Sequence, residues 1–179
     1  MIVKIIHGKD IPFKKVIEIK QIRADAFNEG ILKEEKKIPF NDEMLFILSN
    51  SQEKILAVGC LYQIKVKLLK KTYAIQGIGS ITAVEKGQGY GKILMQEIYA
   101  YLKKKKLTGL GFCSPTNTPF YKKCNFLISN NCINRFVNAS GTGRQPPVDE
   151  DILYRDGENQ FMKEFLSHPR AKVYLPRFW

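Results

Sequence analysis

The stretch VEKGQGYGKILMQEIYAYL, Val84 to Leu102, sets glycine at three alternate positions, Gly87, Gly89 and Gly91, directly before an amphipathic run. Glycine weakens both helix and strand, because it loses more backbone freedom on ordering than any other residue. Yet Ile93, Leu94, Ile98, Tyr101 and Leu102 follow at once and mark out one face of a helix. A P-loop does not explain the glycines. It requires glycine, four residues and then Gly-Lys-Ser/Thr, whereas Gly91-Lys92 is followed by Ile93 and Lys86 stands where the first glycine belongs. A GxGxxG dinucleotide fingerprint would need glycine at Lys92 or Thr82 and fails as well. What remains is a strand, a glycine turn and a helix N-terminus with several unpaired backbone N–H groups. Those donors and the positive end of the helix dipole make an anion site. Bare glycines let a phosphate approach the backbone, and Lys86 and Lys92 add charge. The plainer alternative is a tight turn whose glycines only supply positive φ; three alternating glycines favour the phosphate cradle.

The flanking sequence supplies the frame. Met1 to His7 alternates as a strand, and Pro12 suits the first turn of a helix capped by Asp10. Ile11, Val16, Ile19, Ile22, Ala26 and Phe27 recur at helical spacing, so the helix is expected to run to about Asn28 and stop at Gly30. The polar segment before Pro39 holds at most a short helix. MLFILSN, ILAVGCLYQIKVKLL and TYAIQGIGSITAV read as three strands joined by short polar turns, a β-meander with no room for crossover helices. After the glycine helix come a short apolar strand over Leu107–Cys113, a second helix beginning near Asn117–Pro119, and a possible strand in LISNNCINRFVN. ASGTGRQPPVDED has the composition of a mobile loop, residues 139–151. The stretch 152–179 ends in a short helix broken at Pro169 and an apolar, basic tail. Nothing repeats and no linker divides the chain, so one mixed α+β domain over residues 1–179 is expected.

Within this succession, Lys86-Gly-Gln-Gly-Tyr-Gly91 resembles the Q/R-x-x-G-x-G/A motif of the GNAT N-acetyltransferase superfamily. Asn117-Thr-Pro-Phe-Tyr-Lys-Lys-Cys-Asn-Phe126 resembles that family's N/A-x-x-F-Y-x-K-x-G-F motif, at the expected separation, and the matched core spans about Ile55 to Phe126. Lys86 stands where Gln or Arg is usual. Asn125 replaces a glycine, a mild change because Asn also tolerates positive φ. The resemblance implies a mainly antiparallel central sheet flanked by helices in three αβα layers, and an enzyme that moves acetyl from acetyl-CoA directly to an amine in a ternary complex. It also implies sites. The coenzyme A pantetheine arm pairs with the edge of the strand Ser80–Val84, with Ile81, Thr82, Ala83 and Val84 in contact. The pyrophosphate meets Gln88, Gly89, Gly91 and Lys92, with Lys86, Gly87 and Tyr90 also at the cofactor, Asn117 hydrogen-bonds the cofactor or caps its helix, and Tyr121 protonates the departing sulfur. Tyr121 is otherwise a core tyrosine beside Phe120.

The general base is open. Many family members carry a carboxylate about eleven residues before the glycine motif, but Thr72 to Val84 holds no acid, only Gln76. Glu43 and a water relay stay as alternatives; Glu85, His7 and His168 are poorly placed. By the resemblance the acceptor is a small-molecule or peptide amine; the net charge of +12 argues against a cationic one unless Asp42, Glu43, Asp149, Glu150 and Asp151 cluster to receive it.

The formal net charge of +12 favours anionic company, although lysines scattered through Lys14–Lys15, Lys36–Lys37, Lys65–Lys71 and Lys103–Lys106 with little aromatic interleaving fit a solvated surface. The competing class is a GNAT-like basic module binding RNA or an acidic protein through Lys103–Lys106. An intact glycine motif and Tyr121 argue against it, and nucleic acid is not the expected partner. The four cysteines, Cys60, Cys113, Cys124 and Cys132, lack zinc spacing and read as free thiols of a cytoplasmic protein. No apolar run is long enough for a bilayer, so no membrane association is expected. The aromatic tail, Tyr174, Phe178 and Trp179, could shape the acceptor pocket or a homodimer contact.

Overall fold

The computed structural model describes residues 1–27, 43–139 and 149–176. Asn28, Gly30, the segment before Pro39, Asp42, most of the Pro/Gly loop, Phe178 and Trp179 lie outside them. The order of elements is β1 (Ile2–His7), α1 (Phe13–Phe27), β2 (Glu43–Ser49), β3 (Ile55–Leu68), β4 (Lys71–Ala83), α2 (Tyr90–Lys104), β5 (Gly109–Cys113) and α3 (Thr118–Lys123). Then come β6 (Leu127–Ser129), β7 (Phe136–Asn138), β8 (Asp151–Arg155), α4 (Phe161–Ser167) and β9 (Val173–Leu175). This is a mixed α+β fold with a mainly antiparallel sheet flanked by helices, as expected. No helix among the described residues is long and apolar enough to cross a membrane.

The chain divides into two compact units. The first, Met1–Tyr62 with Gly79–Glu97, holds an antiparallel run in which β2 pairs with β1 (Ile2↔Ser49 to His7↔Met44) and with β3 (Glu43↔Tyr62 to Ser49↔Ile55). Leu45–Leu48 and Ile55–Tyr62 are buried without interruption, the pattern of strands covered on both faces. On α1, Val16 and Ile19 pack inward, whereas Ala26 and Phe27, expected on the same stripe, are exposed. Asp10 does not cap this helix. It sits in a preceding 3-10 turn, Gly8–Asp10, and the Pro12 carbonyl accepts the first bonds, from Lys15 and Val16.

The second unit, Gln63–Ile78 with Ile98–Trp179, shows a different patterning. Here β3 alternates, with Ile64, Val66 and Leu68 buried and Gln63, Lys65 and Lys67 exposed, so one face is wet. β4 runs parallel to β5 over three rungs, Gln76↔Gly109 to Ile78↔Gly111, and β5 continues antiparallel to β8, which pairs with β6. β9 pairs antiparallel with the end of β3 and parallel with β7.

The segment from α4 to β9 contributes to the core. Phe161, Met162, Phe165, Val173 and Leu175 have no exposed surface. Phe161 meets Tyr73 edge-on at 5.3 Å, and Phe165 lies 5.1 Å from Phe136. Burying such side chains contributes about 1.5–3 kcal/mol each. Arg135 closes the end of α4: its guanidinium sits 3.6 Å over the Phe165 ring and donates to the carbonyls of Phe165, His168 and Ala171. Tyr174, by contrast, is exposed.

Between β8 and α4 the backbone of Gly157 packs against that of Lys106–Thr108 so closely that a Cβ would collide with main-chain atoms, which cannot move aside. Thr108 Oγ1 donates to Asp156 and accepts from the Gly157 N–H, which fixes the turn. We expect Gly157→Ala to cost about 3 kcal/mol through overpacking, read as a drop in the denaturant midpoint with an unchanged slope.

Candidate active site

The glycine segment is built where the first unit's β4 gives way to α2. Val84 N–H is tied to the Leu56 carbonyl at 2.9 Å, and the chain then leaves the sheet with Glu85 to Gly89 all exposed. Gly87 (φ +82°) and Gly89 (φ +77°) both occupy the left-handed region, and around each the space a Cβ would fill is empty. The positive φ explains why other residues are disfavoured there. The empty space shows that close packing does not. Gly91 already belongs to the helix.

The first main-chain bond of α2 runs from Ile93 N–H to the Gly89 carbonyl at 3.1 Å. The N–H groups of Tyr90, Gly91 and Lys92 therefore have no acceptor within the helix. A helix N-terminus commonly carries an acidic residue in its first turn to answer the dipole; α2 carries none there and has the exposed Lys92 instead. Donors, dipole and lysines together present one sign of charge to solvent. At the other end Lys103 and Lys104 occupy the last turn, where they complement the negative end of the dipole.

Upstream, Ile81 and Ala83 are half-buried, Val84 is exposed, and Thr82 is buried with its Oγ1 lacking a hydrogen-bond partner among the described residues. Just before them the strand is irregular. Ser80 takes φ +54°, a conformation that costs a non-glycine residue about 1–2 kcal/mol. Its Oγ lies 2.9 Å from the hydroxyl of Tyr62 on β3. Tyr62 and Cys60 are buried near Glu43 and Arg23, and burial, followed by the charge of neighbouring groups, pushes both the phenol and the thiol well above their usual ranges. Sequence reasoning singled out Glu43 and Ser80 but not the meeting of this cluster around Tyr62. The available signal was Gly77 and Gly79 inside a strand pattern, which points to a kink or bulge.

The second motif folds within the other unit. Asn117 is the residue before α3, with φ −91° and ψ −8°, and its exposed side chain makes no capping bond, so capping does not account for it. Tyr121 is half-buried, its ring edge-on to Phe120 at 5.0 Å. Burial pushes its phenol up to about 12, and the neighbouring Cys113, Cys124 and Glu150 add to the effect. Asn125 takes φ +70°, the left-handed conformation expected of the residue in the usual glycine's place.

Asp151, at the start of β8, is buried and accepts from Thr118 Oγ1 at 3.1 Å. Asp149 is exposed and Glu150 half-buried. Glu43 opens β2 in the first unit, opposite Tyr62 in the ladder. The second unit also has a shallow groove of about 710 Å³, lined by Tyr99, Lys103, Lys122, Asn125, Phe126, Leu127 and Ile128. None of the residues expected to hold a cofactor lines it.

An elevated phenol has a definite linkage. An unfolded tyrosine ionises near 10, so between pH 10 and about 12 the folded protein retains a proton at Tyr121 that the unfolded chain has released. The contribution is intact below pH 10 and is lost as pH rises toward 12. Tyr121→Phe should therefore flatten the alkaline fall in stability relative to wild type, measured as denaturant midpoint against pH, and remove one late-titrating component of phenolate absorbance, that of Tyr62 remaining.

Comparison with known proteins places these features. The model of the acetyltransferase (GNAT) family matches residues 16–126. Curated protein sequences give no match. Among solved structures, a probable N-acyltransferase from Enterococcus faecalis V583 matches at TM-score 0.53 and 18% identity over 69% of this chain, which spans only 32% of that one. Escherichia coli ElaA matches at TM-score 0.60 and 10% identity, covering 87% of this chain and 99% of the other. An acyl-CoA N-acyltransferase from Pseudomonas aeruginosa matches at 0.59 and 12%, covering 88% and 100%. At such identities the likeness concerns the fold. With the family model extending over more than half of the sequence, from α1 to Phe126, the protein belongs to the GNAT acetyltransferase family.

Proposed function

We propose that the protein is an acetyl-CoA-dependent N-acetyltransferase that transfers acetyl directly to an amine in a ternary complex. Family membership implies an acyl- or acetyltransferase. The observation that carries the finer reading is the N-terminus of α2: unpaired N–H groups at Tyr90, Gly91 and Lys92, preceded by two left-handed glycines with open space around them. That arrangement suits a pyrophosphate, which needs several convergent donors and a close backbone approach.

Bound acetyl-CoA supplies an activated thioester. The chain's own residues then have separate tasks. Gln88 to Lys92 hold the pyrophosphate through main-chain donors, and Lys86 and Lys92 offset its charge. Ile81–Val84 offer main-chain groups to the pantetheine arm. As the amine's C–N bond forms and the C–S bond breaks, the amine gives up a proton and the sulfur takes one. Tyr121 is the donor to that sulfur. Its phenol, held at about 12, is a weaker acid than a free thiol at ~8.5, so it acts first as a hydrogen-bond donor that stabilises charge on the departing sulfur and only transiently gives up its proton.

Two measurements follow. In calorimetric titration wild type should bind acetyl-CoA, and Gly89→Glu, which puts a carboxylate where the phosphate belongs, should weaken it at least ~100-fold, about 2.7 kcal/mol. Gly89→Ala is the control, because it meets no neighbour and bears only the cost of its φ. Wild-type protein that binds no acetyl-CoA sinks the reading. In a thiol-release assay across an amine library, Tyr121→Phe should reduce turnover by roughly 10²-fold with acetyl-CoA affinity unchanged.

A further inference from the structure

Ser80 presents a small puzzle. Its left-handed φ of +54° is one that glycine adopts freely, and glycine stands nearby at Gly77 and Gly79, yet this position carries a side chain. A strained serine holds its conformation only if something holds it there. The Tyr62 hydroxyl does so from 2.9 Å away. Tyr62 is a costly way to fill that space, since a phenylalanine would occupy it without burying a hydroxyl. The phenol is nonetheless built in. It sits opposite Glu43 in the β2–β3 ladder, one pleat along from Cys60, and within the electrostatic reach of Arg23 on α1. Burial pushes its phenol up, so the hydroxyl keeps its proton and can donate or accept in this bond.

We propose that Tyr62 is a positioning residue: its hydroxyl, seated in the Arg23–Glu43–Cys60 cluster, locks Ser80 in the left-handed conformation and so fixes the direction of the Ile81–Ala83 main-chain groups. Where glycine would permit this kink, the Tyr62–Ser80 pair specifies it. The consequence for function rests on the reading that those groups receive the pantetheine arm. Ser80 lies two residues past Ile78, the last residue of β4 in its ladder with β5. A backbone released at Ser80 would therefore loosen the orientation of Ile81–Ala83, which have β3 as their neighbour on the other side, at the point where binding needs it fixed.

The test is a double-mutant cycle between Tyr62→Phe and Ser80→Gly, read by hydrogen exchange at the amides of Ile81–Ala83 and by acetyl-CoA calorimetry. Tyr62→Phe alone should speed exchange at these amides roughly fivefold to thirtyfold and weaken acetyl-CoA by a similar factor. In the Ser80→Gly background, where no strained φ needs holding, the same change should cost less than about twofold. A tyrosine that merely fills the core would give equal losses in both backgrounds, and that result overturns the proposal, as does unchanged exchange in Tyr62→Phe. Should Tyr62→Phe fail to fold, Ser80→Ala removes the bond from the other side and should reproduce the faster exchange. Wild type that binds no acetyl-CoA overturns the functional reading, while the exchange arm still decides the lock.

Discussion

A helix cannot satisfy its own first N–H groups, and at α2 no other described residue does it for them. That constraint organises much of what surrounds it. The strand that delivers the chain, β4, must end with its backbone anchored, which the bond from Val84 to Leu56 achieves. The turn must then leave the helix end open to solvent rather than capped. Left-handed glycines at positions 87 and 89 accomplish this with no side chain in the way. The apolar face of α2, with Leu94, Met95, Ile98 and Leu102 fully buried, holds the helix in place so that its open end does not fray. Local instability at the N-terminus is thus offset by packing further along the same helix.

Much of this was legible because it depends on local rules. Alternation at Ile64, Val66 and Leu68 reports a one-faced strand, and the structure has one. Asn125 could be read as left-handed from its residue type and its place after a helix. Other features escaped for the same reason in reverse. β8 is five residues, DILYR, whose partners β5 and β6 are distant in sequence; nothing in the segment itself announces a strand between two others. The run LISNNCINRFVN divides into β6, a 3-10 turn and β7 because Arg135 is recruited to the end of α4, a tertiary demand that overrides β-propensity. Phe27 follows the helical stripe and is still exposed, since periodicity says which face a residue is on but not how far the neighbouring layer extends.

The candidate site was legible to a similar degree and for similar reasons. The glycine motif and Tyr121 announce themselves by residue type and spacing. Tyr62 and Ser80 are eighteen positions apart and meet only because β3 and β4 are neighbours. The C-terminal stretch also supplies core that its sequence did not announce, while Tyr174, on the aromatic tail, stays exposed. Phe161 meets Tyr73 and Phe165 meets Phe136 in the core of the second unit, partners that are distant in sequence.

Cys113 has a consequence of its own. Its thiol is pushed up to about 11, chiefly by burial, with Asp151 and Glu150 adding to the effect against a hydrogen bond from Thr118, and it contributes to raising Tyr121. On the functional reading each turnover releases a fresh thiol beside Tyr121, and any oxidised coenzyme A arriving there would be an electrophile for a neighbouring thiolate. With its thiol raised in this way, Cys113 presents far less thiolate at neutral pH than an ordinary cysteine. The burial that raises the phenol therefore also makes the cysteine a poor nucleophile toward such a disulfide.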